Sequence, residues 1–135
     1  MKFHPTALLI ALSVTFLAAA SSASAADPAA GAILFNANCS SCHGISGKGD
    51  GPVGAALTPP PRDFTIGEFV FDPNSNGVNG EDEDLQAIIK NGAMKYGGSP
   101  LMAPWPTLTD EQVADIIAHI RSLKVEAAPE EAPAG

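Results

Sequence analysis

The sequence is short of basic residues, of cysteine and, outside one segment, of large apolar side chains. Lysine and arginine total 7 against 15 aspartates and glutamates, a formal net charge of -8. A chain of that sign does not hold nucleic acid or an anionic membrane surface by electrostatics. With 135 residues it makes one small domain at most, with no room for a separate substrate domain. Of 61 apolar residues, 16 lie in the first 25, and 16 of the other 45 are alanine. Glycine and proline fill 24 of the last 110 positions. A chain so rich in loops and so poor in large apolar groups is marginal on its own core. Its composition predicts that something besides side chains fills the middle. No long apolar run follows residue 25, so no later segment is expected to span a membrane.

The first 25 residues read as an export signal. Lys2 and His4 make a short positive start, and Ala7 to Ala20 is apolar but for Ser13 and Thr15. Ala23-Ser24-Ala25 is a small-x-small cleavage site, followed by Ala26-Asp27-Pro28. An uncleaved anchor needs about 20 apolar residues, and Ser21-Ser22-Ala23-Ser24 stands against it. No cysteine lies near the cleavage point, so no lipid is expected there. Cleavage near Ala25 removes Lys2, leaving 6 basic and 15 acidic residues and a charge of -9. The expected location is the periplasm.

The mature chain then divides into three helical stretches and two loops. Asp27 and Pro28 suit an N-cap and first helical residue. Ala30, Ile33, Leu34 and Ala37 follow at helical spacing, which predicts a helix over 29–38. Gly31 and Phe35 share a face of it, and a helical glycine suggests close approach of another backbone. Residues 44–80 hold eight glycines and five prolines, too many for a long helix. Phe64, Ile66, Phe69 and Phe71 there are candidates for packing as extended pieces. Asp82, Glu83 and Asp84 favour a helix start. Leu85, Ile88 and Ile89 form its stripe, and Asn91-Gly92 ends it. Thr109 and Gln112 make a capping box before Val113, Ile116, Ile117, Ile120 and Leu123, the strongest amphipathic pattern in the chain. The domain is expected over 26–124. From Val125 to Gly135 glutamate and proline alternate with alanine, a tail expected to be disordered.

Cys39-Ser40-Ser41-Cys42-His43 carries the chemistry. Two cysteines three apart, with histidine directly after the second, are the pattern of c-type haem attachment. The two thiols add to the two vinyl groups of the macrocycle, and the histidine is held where its ring can bind iron. Other readings of the pair are weaker. A thioredoxin-like redox pair needs a strand–helix context that is not visible. A disulfide would close a tiny loop and staple little. Zinc would need a fourth ligand. An export signal, only two cysteines and a thin core all favour haem. The candidates for a second axial ligand are Met102, Met94 and His119. Met102 sits in the proline-framed loop Pro100-Leu101-Met102-Ala103-Pro104 and is preferred. Met94 lies in a glycine-rich stretch two residues past a helix end. His119, between isoleucines, reads as a packing histidine.

With these residues in place the chain resembles the small soluble class I cytochromes c over about residues 27–124. Gly31 and Phe35 match the first helix of that family, where they pack against the last. Cys39, Cys42 and His43 match the haem motif. Gly51-Pro52 resembles the family's Gly-Pro, which implies that the Pro52 carbonyl accepts the ring N–H of His43; Pro59, Pro60 and Pro61 compete for that role. Gly47-x-Gly49-Asp50-Gly51-Pro52 and Pro61-Arg62-Asp63-Phe64 look like bacterial monohaem members. Met102-Ala103-Pro104 resembles the Met-Pro loop, with Ala103 where proline is common. His119 stands where an aromatic residue is frequent. The resemblance implies an all-α cytochrome c fold, three to four short helices with long loops around one haem c. It also implies His43 and Met102 as iron ligands and one-electron transfer rather than enzymatic turnover. The charge then predicts redox partners with basic docking patches, met by a monomer. The runners-up are a haem subunit of a larger oxidoreductase complex, and a peroxidase or ligand-binding haem protein with a labile methionine.

Two further features are weaker. Asp72-Pro73-Asn74-Ser75-Asn76-Gly77 with Glu83 formally fits a calcium loop but reads more simply as a polar surface turn. Trp105 can reach a haem propionate through its N–H or pack in the core.

Overall fold

The computed structural model describes residues 25–125; the predicted export signal (1–25) and the predicted tail (125–135), each but for one residue, lie outside them. The described residues form four α-helices: α1 (Pro28–Asn38), α2 (Ser40–His43), α3 (Asp82–Asn91) and α4 (Asp110–Ser122). Two 3-10 turns lie at Gly54–Ala56 and Ala93–Tyr96, and no strand occurs among the described residues. The fold is the all-α one that the resemblance implies.

The start of α1 is built as its sequence suggests. Asp27 is extended and its carboxylate accepts the Ala29 N–H at 2.8 Å, with Pro28 in the first turn. The buried face is Gly31 and Phe35, backed by Leu34. The expected stripe is only partly inward, since Ile33 is 73% exposed. At 3.6 residues per turn, Ile33 lies about 160° round the helix from Gly31 and from Phe35. The contact row therefore decides the helix's orientation, not the most apolar stripe. A Cβ at Gly31 would overlap the Asp115 carbonyl and sit 3.0 Å from His119 Cβ. So α1 and α4 touch main chain to main chain, which only a glycine permits. The Asp27 N–H adds a bond to Asp115 Oδ1 at 2.7 Å.

The strongest pattern, α4, comes out as read. Thr109 and Gln112 exchange side-chain-to-backbone bonds of 3.2 and 2.9 Å. Val113, Ile116, Ile117 and Ile120 are buried, and Leu123 packs beside them. Each fully buried branched side chain of this kind is worth about 1.5–3 kcal/mol. In α3, Leu85 and Ile89 join the core while Ile88 is half-buried. Asp84, one of the three acids expected at this helix start, is fully buried; its Oδ2 accepts the Glu81 N–H at 3.1 Å. Lys90 ties α3 to the start of α4, donating to Leu108 O at 2.6 Å and pairing with Asp110 at 3.1 Å. Arg121 ties the other end of α4 to Asp82 at 2.8 Å and lies over the Phe69 ring.

In the long loop, Phe64 enters the core, held by its N–H on the Gly47 carbonyl at 2.7 Å. Phe69 packs against it, but Ile66 is 51% exposed. Ile66 points away because the chain turns back there, with Gly67 N–H on Phe64 O at 3.1 Å.

Candidate functional site

Cys39 closes α1 and opens α2. Its N–H donates to Phe35 O at 2.8 Å, and its own carbonyl accepts from His43 N at 3.0 Å. The loop after the motif clamps this turn from outside. Gly51 N–H donates to Cys42 O at 3.2 Å and Val53 N–H to Ser41 O at 2.9 Å. A Cβ at Gly51 would sit 2.5 Å from the Ser40 and Ser41 carbonyls, and one at Gly54 would overlap that of Cys42. Both thiols are free and half-buried. Burial, with Cys42 adding to it, pushes the Cys39 thiol up to about 11. Such a thiol stays protonated at neutral pH. With no strand beside it, the pair is unlike a thioredoxin-type redox site.

His43 ends α2 and is held on two sides. Its ring stacks on Phe64 at 4.7 Å and 18°, with Phe35 at 6.3 Å. Its Nδ1 lies 3.5 Å from the Arg62 carbonyl. Assigning the proton to Nδ1, toward that carbonyl, leaves Nε2 with a free lone pair, the form that binds a metal. Burial lowers the ring's pKa, and the Arg62 contact works against it. The carbonyl facing His43 is thus that of Arg62 and not that of Pro52, which is exposed. The reason lies in the packing. Gly51 and Gly54 press the Pro52 turn onto the main chain of α2, while Pro61-Arg62 passes against Gly49 to reach the ring.

Met102 is half-buried in its proline-framed loop. Its carbonyl accepts the Ala93 N–H at 3.1 Å and its N–H donates to Ser99 O at 3.2 Å. The rival Met94 is 68% exposed. His119 packs its ring 5.1 Å from Phe35, whose other ring contacts are His43 and Phe64. Phe35 therefore contacts both histidine rings.

His119 Nε2 is buried and has no hydrogen-bond partner. Burial lowers its pKa. The unfolded chain binds a proton at about pH 6.5, whereas the folded ring resists it. Stability is therefore unaffected by this group above that pH and falls as pH drops below it. The thermal midpoint is expected to fall between about pH 7 and about pH 5. A His119→Phe variant should lose that part of the slope and gain about 1 kcal/mol by removing the orphaned nitrogen. Melting curves of both proteins across this range check it.

The remaining candidates sort plainly. The Asp72 carboxylate accepts the N–H groups of Asn76 and Gly77 at 3.1 and 2.8 Å, and Asn76 donates to Glu81. Among the described residues no group of three or more His, Cys, Asp or Glu could hold a metal ion. Trp105 packs against the core, and its backbone N–H donates to Ile89 O at 2.9 Å. An open groove of about 680 Å³ runs along α2, lined by Ala37, Ser41, Ile45, Asp50 and Pro52 among others, and not by His43 or Met102. Sequence reading missed Arg62, because it acts through a main-chain carbonyl that any residue carries.

Two free thiols and an imidazole with Nε2 available, on one rigid turn, suit a covalently held haem. The comparisons agree. The cytochrome c family model matches residues 28–124. No curated protein matches the chain. Among solved structures, a chain of the reducing HAO-like protein complex of Kuenenia stuttgartiensis is 33% identical, with a TM-score of 0.58. The match covers 70% of this chain and 41% of that one, so this chain spans less than half of its neighbour. The match over almost all the described residues, together with a Cys39-x-x-Cys42-His43 turn that fits covalent haem c, shows that the chain belongs to the cytochrome c family.

Proposed function

We propose that the protein is a periplasmic monohaem c-type cytochrome that carries single electrons between respiratory or dehydrogenase partners and has no enzymatic turnover of its own. The observation behind this reading is the seat of His43: a ring fixed by Phe64 and the Arg62 carbonyl directly after two free thiols. Haem c bound here supplies a one-electron couple at its iron. Cys39 and Cys42 hold it through thioethers. His43 and Met102 would ligate its iron, leaving no iron site for a substrate. A methionine opposite a histidine raises the potential. The mature charge of -9 suits donors and acceptors with basic docking patches, with association slowed by salt. Among the described residues no helix is long and apolar enough to cross a membrane.

The visible spectrum of the exported protein tests this. Sharp c-type bands with the weak far-red methionine–iron band are expected. High-spin iron, or haem without that band, would move the case to ligand binding or peroxidase chemistry. A second reading has its own support. The structural neighbour belongs to a protein complex, so this chain also suits the role of haem subunit in a larger oxidoreductase. Co-purification with a stable partner separates that from a free carrier.

A further inference from the structure

The segment carrying Met102 is hung on a glycine. Gly92 ends α3, its N–H on Ile88 O at 2.8 Å. Its backbone stands at φ 79°, ψ 153°, a region open essentially to glycine alone. A Cβ there would lie 3.0 Å from the Met102 carbonyl oxygen and 3.1 Å from both N and Cδ of Pro104. The next residue, Ala93, donates its N–H to that same Met102 carbonyl at 3.1 Å. Beyond Pro104, the chain returns to α3 through Trp105 N–H on Ile89 O. Residues 102–105 are thus laid along the end of α3, main chain on main chain, with Gly92 buried at the contact.

We infer that Gly92 is a positioning residue for the Met102 thioether. It fixes where the Met102 main chain stands against α3, and so how well the sulfur meets the iron. This rests on reading Met102 as the sixth ligand. No side chain at position 92 takes part; the bare Cα lets the two segments close up. Gly97 supplies a comparison within the same stretch. Its φ is also positive, at 84°, but no atom lies within 4 Å of a Cβ built on it. Alanine there strains the backbone without pressing on Met102.

The test compares haem-loaded Gly92→Ala, Gly97→Ala and Met102→Ala with the parent protein. The readouts are the far-red band of the ferric form and the affinity for added imidazole. Gly92→Ala should keep its covalent haem, show a weaker band and bind imidazole about tenfold more tightly. Gly97→Ala should leave both readouts close to the parent. A Met102→Ala protein that keeps the band sinks the ligand assignment itself. A Gly92→Ala protein with the parent's band and affinity, beside a Met102→Ala protein without the band, overturns only the positioning role. Equal effects at positions 92 and 97 overturn it as well. Should Gly92→Ala give no folded protein, Pro104→Gly loosens the same seat from the other side. A weaker band then supports the role and an unchanged one overturns it.

Discussion

A Met102→Ala protein is expected to keep its covalent haem and to open its iron to outside ligands. Among the described residues Met102 is the sixth ligand proposed above, half-buried in its loop. Met94 is 68% exposed on a separate turn. His119 packs its ring against Phe35. If Met102 is the ligand, the far-red band should vanish and the potential should fall, because methionine opposite histidine is what raises it. Cyanide or carbon monoxide should bind at least about tenfold more tightly, roughly 1.4 kcal/mol. Ligand titration followed by absorbance reads all of this in one cuvette. An unchanged affinity would mean that the parent iron is already open, and the electron-carrier reading would give way to ligand binding.

The second large effect concerns the thiols. A Cys39→Ala/Cys42→Ala protein should carry no haem that survives denaturation and should lose roughly half of its helical signal, as chains do whose folding depends on a bound group. The packing explains why. The apolar core comes to nine buried residues, while nine large apolar side chains stay exposed among the described residues. Phe35 and Phe64, two of those nine buried residues, also lean on His43. Far-UV circular dichroism and a thermal melt measure the outcome. Native helicity with a cooperative transition would show that the side chains suffice, against the expectation drawn from composition.

Much of this was legible in the sequence because it was written in side chains. The 3-1-3-3 spacing of apolar residues in α4 and the Thr109–Gln112 box each have one geometric meaning, and both came out as read. The Cys39-Ser40-Ser41-Cys42-His43 spacing was equally plain. What stayed hidden was written in the main chain. The Arg62 carbonyl facing His43 has no side-chain signature, so a Gly-Pro pattern drew attention to Pro52 instead. The seat that Gly92 makes for Met102 needs a distance between residues ten apart, which no local pattern reports. Ile33 and Ile66 were misread for a related reason. Apolar character was taken as inward, but the crossing at Gly31 and the turn at Gly67 set which way each points.

The closure of α1 on α4 has a consequence for how the protein is made. Asp27 and Asp115, bonded at 2.7 Å, stand 88 positions apart. The first helix thus finds its partner only when the last one exists. Bringing such distant segments together is slow, since the chain's entropy must be lost before the contact returns anything. A chain emerging from the ribosome therefore lacks the means to close this fold until α4 has been made. That delay keeps the polypeptide extended and threadable, the state that the export proposed above would require. The same main-chain contact that makes the finished domain rigid leaves the unfinished one pliant.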